Sequence, residues 1–128
     1  MPEHAHLILW PRHREYDIAS ILSSIKNPVT RKSRWVVTHE APEFIPRMLD
    51  IAPNGKQSIR FWQRGGGYDR NLFTAREIWE KIDYIHRNPV RRGLAEDSIA
   101  WAWSSAADYA GLARGPLPLD IEDLPPRP

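Results

Sequence analysis

Over residues 4–10 an extended backbone puts His4, His6, Ile8 and Trp10 on one face and the wholly apolar Ala5, Leu7 and Leu9 on the other. The pattern predicts a strand with one face suited to a core and the other opening on two imidazoles. After Pro11 and a polar loop, the period changes to that of a helix. Ile18, Ile21, Leu22, Ile25 and Val29 recur at helical spacing, Asp17 stands where an N-cap belongs, and Tyr16 with Ile21 forms a hydrophobic staple. An amphipathic helix is therefore predicted from residue 18 to the high thirties, kinked at Pro28, whose ring removes one ladder bond. Pro42, Pro46 and Pro53 interrupt the next stretch, where a short helix near residues 43–49 and a turn at Pro53-Asn54-Gly55 are expected. Residues 68–73 alternate and predict a short strand.

The next helix carries the clearest start signal of the chain: Thr74-Ala75-Arg76-Glu77 is a capping box, with Phe73 and Ile78 as its staple. At about 100° per residue, Ile78, Ile82 and Ile85 fall within roughly 40° of one another, while Tyr84 lies roughly 240° and Asn88 roughly 280° round from Ile78. Tyr84 is thus off the apolar stripe, one turn before Asn88 and on the same face as Glu77 and Lys81. A surface tyrosine is the plain reading of that position, and a reacting one is the functional reading. The run Asn88-Pro89-Val90-Arg91-Arg92-Gly93 is expected to end the helix, since the residue before proline is pushed from helical angles and Gly93 suits a C-terminal turn. "WAWSSAADYAG" predicts a short aromatic-rich helix and the Pro-rich end an extended tail, giving a main domain over residues 1–113 and a tail over 114–128.

At 128 residues, 41% hydrophobic and 27% charged, the chain has ordinary globular usage and room for one core. It contains no cysteine, which excludes disulfides, thiolate zinc sites and thiol nucleophiles. No apolar run is long enough for a bilayer span, and no signal-peptide layout opens the chain, so a cytoplasmic, nucleoid-associated protein without membrane contact is expected. The net charge is only +2, but 14 of the 18 cations are arginine. Arg31, Lys32 and Arg34 cluster beside Trp35, and Arg91-Arg92 form a pair. Guanidinium groups near aromatics suit a nucleic-acid surface, although any one cluster also reads as a solvated face.

Two residues of strand advance roughly 6.6 Å, a gap that two imidazoles on one face can close to reach a common divalent metal. Two half-exposed histidines are the other reading. Gly65, Gly66 and Gly67, between aromatic and cationic residues, imply a bent strand, the close approach of another backbone, or a flexible hairpin. Gly55-Lys56 is not a phosphate loop, because Gln57 stands next where Ser or Thr is required and Asp50 occupies the place of the first glycine.

Four stretches, "MPEHAHLIL", "FWQRGGGYDRNL", "IDYIHRNPVRRGL" and "WAWSSAADY", resemble in order the REP-associated tyrosine transposases, part of the single-tyrosine HUH endonuclease group. The resemblance implies an α+β fold: a ferredoxin-like antiparallel sheet with helices on one face. It implies His4, His6 and Asn88 as ligands of Mg²⁺ or Mn²⁺ and Tyr84 as the nucleophile. The DNA substrate would be single-stranded or hairpin, cut and rejoined through a 5′-phosphotyrosine without ATP. Arg31, Lys32, Arg34, Trp62, Arg64, Arg70, Arg91 and Arg92 are the expected DNA-binding residues.

A phenol with a reference pKa of about 10 gains from a nearby cation, which favours phenolate and the charged phosphorane alike. Two rivals stand beside this reading: a non-cleaving module or remnant that binds single strands or hairpins, and a metal-dependent hydrolase that uses water. Relatives carry further residues before the His-containing strand, so the resemblance also implies that the first strand or strands and a helix are missing. A misplaced start, a decayed gene copy or a trimmed domain would each account for that. An intact member is expected to be a monomer, whereas this chain is expected to self-associate through the bared edge of residues 4–10.

Overall fold

The computed structural model of the chain describes residues 3–63, 65, 67–112, 115 and 117–128. The backbone separates into two compact units, Pro11–Asp69 and Met1–Trp10 with Arg70–Pro128. The expected boundary between residues 113 and 114 lies outside the described residues.

In the unit Pro11–Asp69, helix α1 spans Ile18–His39. Its start is fixed as the sequence predicts: the Asp17 carboxylate accepts the amides of Ala19 and Ser20 at 3.1 and 3.0 Å and the Ser20 hydroxyl at 2.6 Å. The helix runs unbroken through Pro28, because one deleted ladder bond leaves the bonds on either side in place. A 3₁₀ turn, Pro42–Phe44, leads into the single turn α2, Ile45–Met48, where a short helix is expected.

Strands β1, Leu49–Ile51, and β2, Gln57–Ile59, then pair antiparallel with Leu49 opposite Ile59 and Ile51 opposite Gln57. The turn at Pro53-Asn54-Gly55 makes this hairpin. Gly55 takes φ 78°, and the Asn54 side-chain carbonyl accepts the Lys56 amide at 3.1 Å. Asp50 and Arg60 add an ion pair across the two strands' ends.

These short strands are not the two that alternation predicts. Residues 4–10 and 68–73 belong to no sheet among the described residues. A strand is a shared element whose amides need a neighbouring segment, and no described segment pairs with either stretch. Leu7, Leu9 and Trp10 stay exposed, and Tyr68 and Phe73 are exposed by 86% and 82%. The architecture is thus α+β, with helices and one two-stranded antiparallel sheet among the described residues.

In the other unit, helix α3 spans Ala75–Arg91 and opens on the predicted capping box. The Thr74 hydroxyl accepts the Glu77 amide at 3.1 Å, and the Glu77 carboxylate accepts the amides of Thr74 and Phe73 at 3.2 and 3.1 Å. Such a cap is worth about 1 kcal/mol. The helix ends within the expected run 88–93, continuing past Pro89 to Arg91. Proline's preference acts on the residue before it, and here the tertiary contacts of Asn88 override it. Gly93, at φ 66°, ends the helix. Its amide reaches the Val90 carbonyl at 2.9 Å and the Leu94 amide reaches the Pro89 carbonyl at 2.9 Å, the paired closure that a left-handed glycine permits.

Turns lead on to α4, Ala106–Tyr109, shorter than the predicted aromatic helix. Ile78, Ile82 and Pro89 of α3 and Ala106 and Ala107 of α4 are buried. Facing side chains join the two helices: His86 Nε2 lies 2.9 Å from Ser105 Oγ, and the His86 and Tyr109 rings meet edge-on at 4.9 Å. Burial holds the His86 pKa down against the opposing pull of Asp83, and burial pushes Tyr109 up. The Pro-rich end carries a 3₁₀ turn, Ile121–Asp123, and folds back onto α3. Trp79 Nε1 donates to the Pro125 carbonyl at 2.9 Å, and the Arg127 guanidinium meets both Asp83 oxygens at 3.0 and 2.8 Å.

Candidate active site

Tyr84 and Asn88 stand one turn apart on α3, and their surroundings differ. Tyr84 is 41% exposed, off the apolar stripe as its periodicity predicts, whereas Asn88 is 8% exposed and the buried polar residue of the described chain. The segment at residues 4–6 covers it. His6 Nε2 lies 2.8 Å from Asn88 Nδ2 and 3.1 Å from His4 Nε2. The imidazoles of His4 and His6 meet edge-on at 4.7 Å, and the His6 ring meets the Tyr84 ring at 5.8 Å and 77°. Four side chains named from the sequence thus come together, with His4 and His6 on the same side of their segment.

This cluster does not close as a hydrogen-bond network. An imidazole nitrogen has either one in-plane lone pair or one proton, so His6 Nε2 cannot serve both His4 Nε2 and Asn88 Nδ2 well. Half a turn of the amide exchanges Oδ1 for Nδ2 at the same place. His4 Nε2 and an Asn88 oxygen would then both lie next to His6 Nε2, each able to offer a lone pair. Ligands on adjacent corners of an octahedron with bonds of about 2.1 Å are separated by about 3.0 Å, close to the spacings found here. The donor set of two imidazoles and one amide oxygen fits a divalent cation. Among the described residues no group of three or more His, Asp or Glu side chains is placed to hold a metal, so the fit depends on Asn88.

Electrostatics favour free lone pairs. The His6 pKa is lowered, first by burial, then by the neighbouring His4 and by Lys81, which favours the neutral ring. Glu3 lies 3.6 Å from His4 Nδ1, on the side of the ring away from His6. Two cations flank the tyrosine: Lys81 Nζ lies 5.1 Å and the Arg91 guanidinium 5.8 Å from the Tyr84 ring centre. Glu80, Asp83, Tyr84, Arg87 and Arg91 line an open depression of about 430 Å³ on this face of α3.

The expected DNA-binding residues divide. Arg91 is at the site. Arg92 lies next to it but is paired with Glu3 at 2.5 Å, and Arg70 is committed to Glu77 at 2.6 Å, bracing the start of α3. Trp62 is half-buried, donates from Nε1 to the Lys26 carbonyl at 3.2 Å and lies under Lys26 Nζ, so it packs on α1 rather than offering a free ring. Arg31, Lys32 and Arg34 are exposed on α1, in the other unit. Arg64 lies outside the described residues. Gly65 and Gly67 take φ 92° and 86° with open space about them, so their conformation, not a close approach, calls for glycine. The sequence reading missed Glu3, and it placed Lys81 on the site's face without a role. The Lys81 to Tyr84 spacing of three residues was a signal for that contact.

A protein of Haemophilus influenzae named as a REP-associated tyrosine transposase is 26% identical to this chain over 105 residues, which cover 82% of the chain. The chain spans 54% of that protein's length. No family model and no solved structure matches the chain. No helix among the described residues is long and apolar enough to cross a membrane.

Proposed function

We propose that the chain acts as a transposase-type nuclease, cutting and rejoining single-stranded or hairpin DNA through Tyr84. The observation that carries this reading is the convergence of His4, His6 and Asn88 beside an exposed tyrosine flanked by two cations. The name of the Haemophilus relative adds transposition to it.

In the reaction the Tyr84 oxygen attacks a backbone phosphorus and loses its proton to solvent. The new tyrosine–phosphorus bond replaces the bond to the 3′ oxygen, which leaves and takes up a proton. A 3′-hydroxyl later reverses the exchange, so no nucleotide hydrolysis is needed. Lys81 and Arg91 draw the phosphodiester to the ring and offset the charge that grows on its oxygens. His6 packs edge-on against Tyr84 and fixes the ring's direction. A bound Mg²⁺ or Mn²⁺, held by His4, His6 and Asn88, would supply positive charge to a phosphate oxygen and to the phenolate.

The test is covalent capture. Labelled hairpin or single-stranded DNA incubated with the chain and Mn²⁺ should give an adduct that survives denaturation, and Tyr84→Phe should give none. An adduct that persists in Tyr84→Phe would overturn the assignment. Tight binding without any adduct would favour the non-cleaving module.

A further inference from the structure

Helix α1 contains no Asp or Glu in its 22 residues, yet it carries Lys26, Arg31, Lys32 and Arg34. Residues 22, 25, 26, 30, 33, 36 and 37 are half-buried, and Trp62 packs on that side at Lys26. At about 100° per residue, Arg34, Thr38, Arg31, Trp35, His39 and Lys32 succeed one another round the opposite arc. All six are exposed, and among the described residues no carboxylate pairs with Arg31, Lys32 or Arg34.

Trp35 is the anomaly on this arc. A tryptophan there, 53% exposed, gains nothing from the core. It is nonetheless held in one orientation: the His39 ring stacks on it at 5.0 Å and 23°, and His39 Nδ1 is anchored 2.8 Å from the Trp35 carbonyl. A flat ring fixed in the middle of unpaired cations has the two parts that a single nucleic-acid strand requires. The ring takes a base, and the cations take the phosphates on either side. A duplex hides its base faces and would use the cations alone. An acidic protein would likewise leave the indole unused.

We propose that the α1 arc is a binding site for single-stranded DNA, with one unpaired base stacked on Trp35 and flanking phosphates held by Arg31, Lys32 and Arg34. The site is separate from the Tyr84 cluster and lies in the other unit. It extends the nuclease reading by assigning the single-stranded part of the substrate to α1, but binding there needs neither Tyr84 nor metal.

Binding is measured by fluorescence anisotropy with a labelled oligothymidylate in EDTA, using the full chain. Trp35→Ala should weaken binding roughly 5- to 150-fold, the range for loss of one base–aromatic stack, and Trp35→Phe should restore most of it. Indole fluorescence quenched by the oligonucleotide should lose its Trp35 component in Trp35→Phe. Replacing Arg31, Lys32 and Arg34 by glutamine should reduce the salt slope by about 2. Trp35 is exposed, and an unchanged circular dichroism spectrum will show that its variants fold.

Wild-type affinity in Trp35→Ala would overturn the proposal. So would equal weakening toward a blunt duplex, which would make Trp35 a structural residue. Adduct formation by Tyr84 is scored separately: no adduct with Trp35-dependent binding defeats the nuclease reading alone, and an adduct without Trp35-dependent binding defeats the α1 site alone.

Discussion

Helices α1 and α3 both open on a carboxylate that closes backbone amides, Asp17 in one and Glu77 in the other, yet they deploy charge in opposite ways. On α3 cations and anions are largely matched: Glu77 with Arg70, Glu80 with Arg76, and Asp83 with Arg127. The cations near Tyr84, Lys81 and Arg91, lie against an aromatic ring instead. On α1 nothing is matched among the described residues, and three cations spread along one face. A compensated surface with a local excess suits one phosphate held at one point, where chemistry is to be done. An uncompensated stripe suits a strand held along its length. On the two proposals made above, chemistry and affinity fall to different helices.

The sharpest way to break this contrast is to separate rate from binding. Removing a proposed ligand at the Tyr84 site, by His6→Ala or Asn88→Ala, should lower the single-turnover rate of adduct formation by about 10²- to 10³-fold even at saturating DNA. That is the loss expected when several kcal/mol of charge stabilisation disappear. Asn88→Asp, which keeps an oxygen at the same place, should recover part of the rate in Mn²⁺. Replacing Arg31 and Arg34 should raise the DNA concentration required and leave the saturated rate near wild type. If the α1 variants lower the saturated rate as much as His6→Ala does, the division of labour is wrong.

A second contrast sets the segment at residues 4–10 against β1 and β2. The strands of the hairpin pair with each other, whereas the segment presents Leu7, Leu9 and Trp10 to solvent at 51%, 42% and 67% exposure without a strand partner among the described residues. Bare edges of this composition recruit other chains. The 128-residue chain should associate with a second copy as concentration rises, seen by size-exclusion chromatography. Leu7→Lys or Leu9→Lys should weaken the association roughly 10-fold or more, since each removes about 1.5–3 kcal/mol of apolar burial. A concentration-independent monomer would show that the segment is content as it stands.

The two helices also show what a sequence discloses and what it withholds. Asp17, the Thr74–Glu77 box, the turn at Gly55 and the exposure of Tyr84 were all legible, because each depends on residues within one or two turns of chain. The burial of Asn88 was not. Periodicity places it on the polar face, and only the return of residues 4–6 from far along the chain covers it. Where α3 stops within residues 88–93 escaped for the same reason. Alternation at residues 4–10 and 68–73 predicted strands, but a strand also needs a neighbour, which no local pattern specifies. Trp62 and Trp35 were equally plausible as nucleic-acid contacts from composition. The packing of Trp62 on Lys26 and the stack of Trp35 on His39 tell them apart.

The smallest expected effect tests whether the two helix starts are as alike as their geometry. Asp17 has its pKa lowered by the Ser20 hydroxyl and the Ala19 and Ser20 amides, and Glu77 by the Phe73 amide and the contacts of Thr74 and Arg70. A carboxylate whose folded pKa lies below its unfolded value contributes stability that is complete above the unfolded value. That contribution is lost as pH falls through the folded one. Helicity followed by circular dichroism should therefore begin to fall as pH drops below the ordinary carboxylate range of about 4 and continue to fall below it. Asp17→Asn and Glu77→Gln keep a capping oxygen but cannot titrate, so each should flatten part of that acid limb, and together they should flatten it most. The two single variants should act by similar amounts. If Glu77→Gln flattens the limb and Asp17→Asn does not, the start of α1 is held by something other than its cap, and the resemblance between the two helices ends at their first residues.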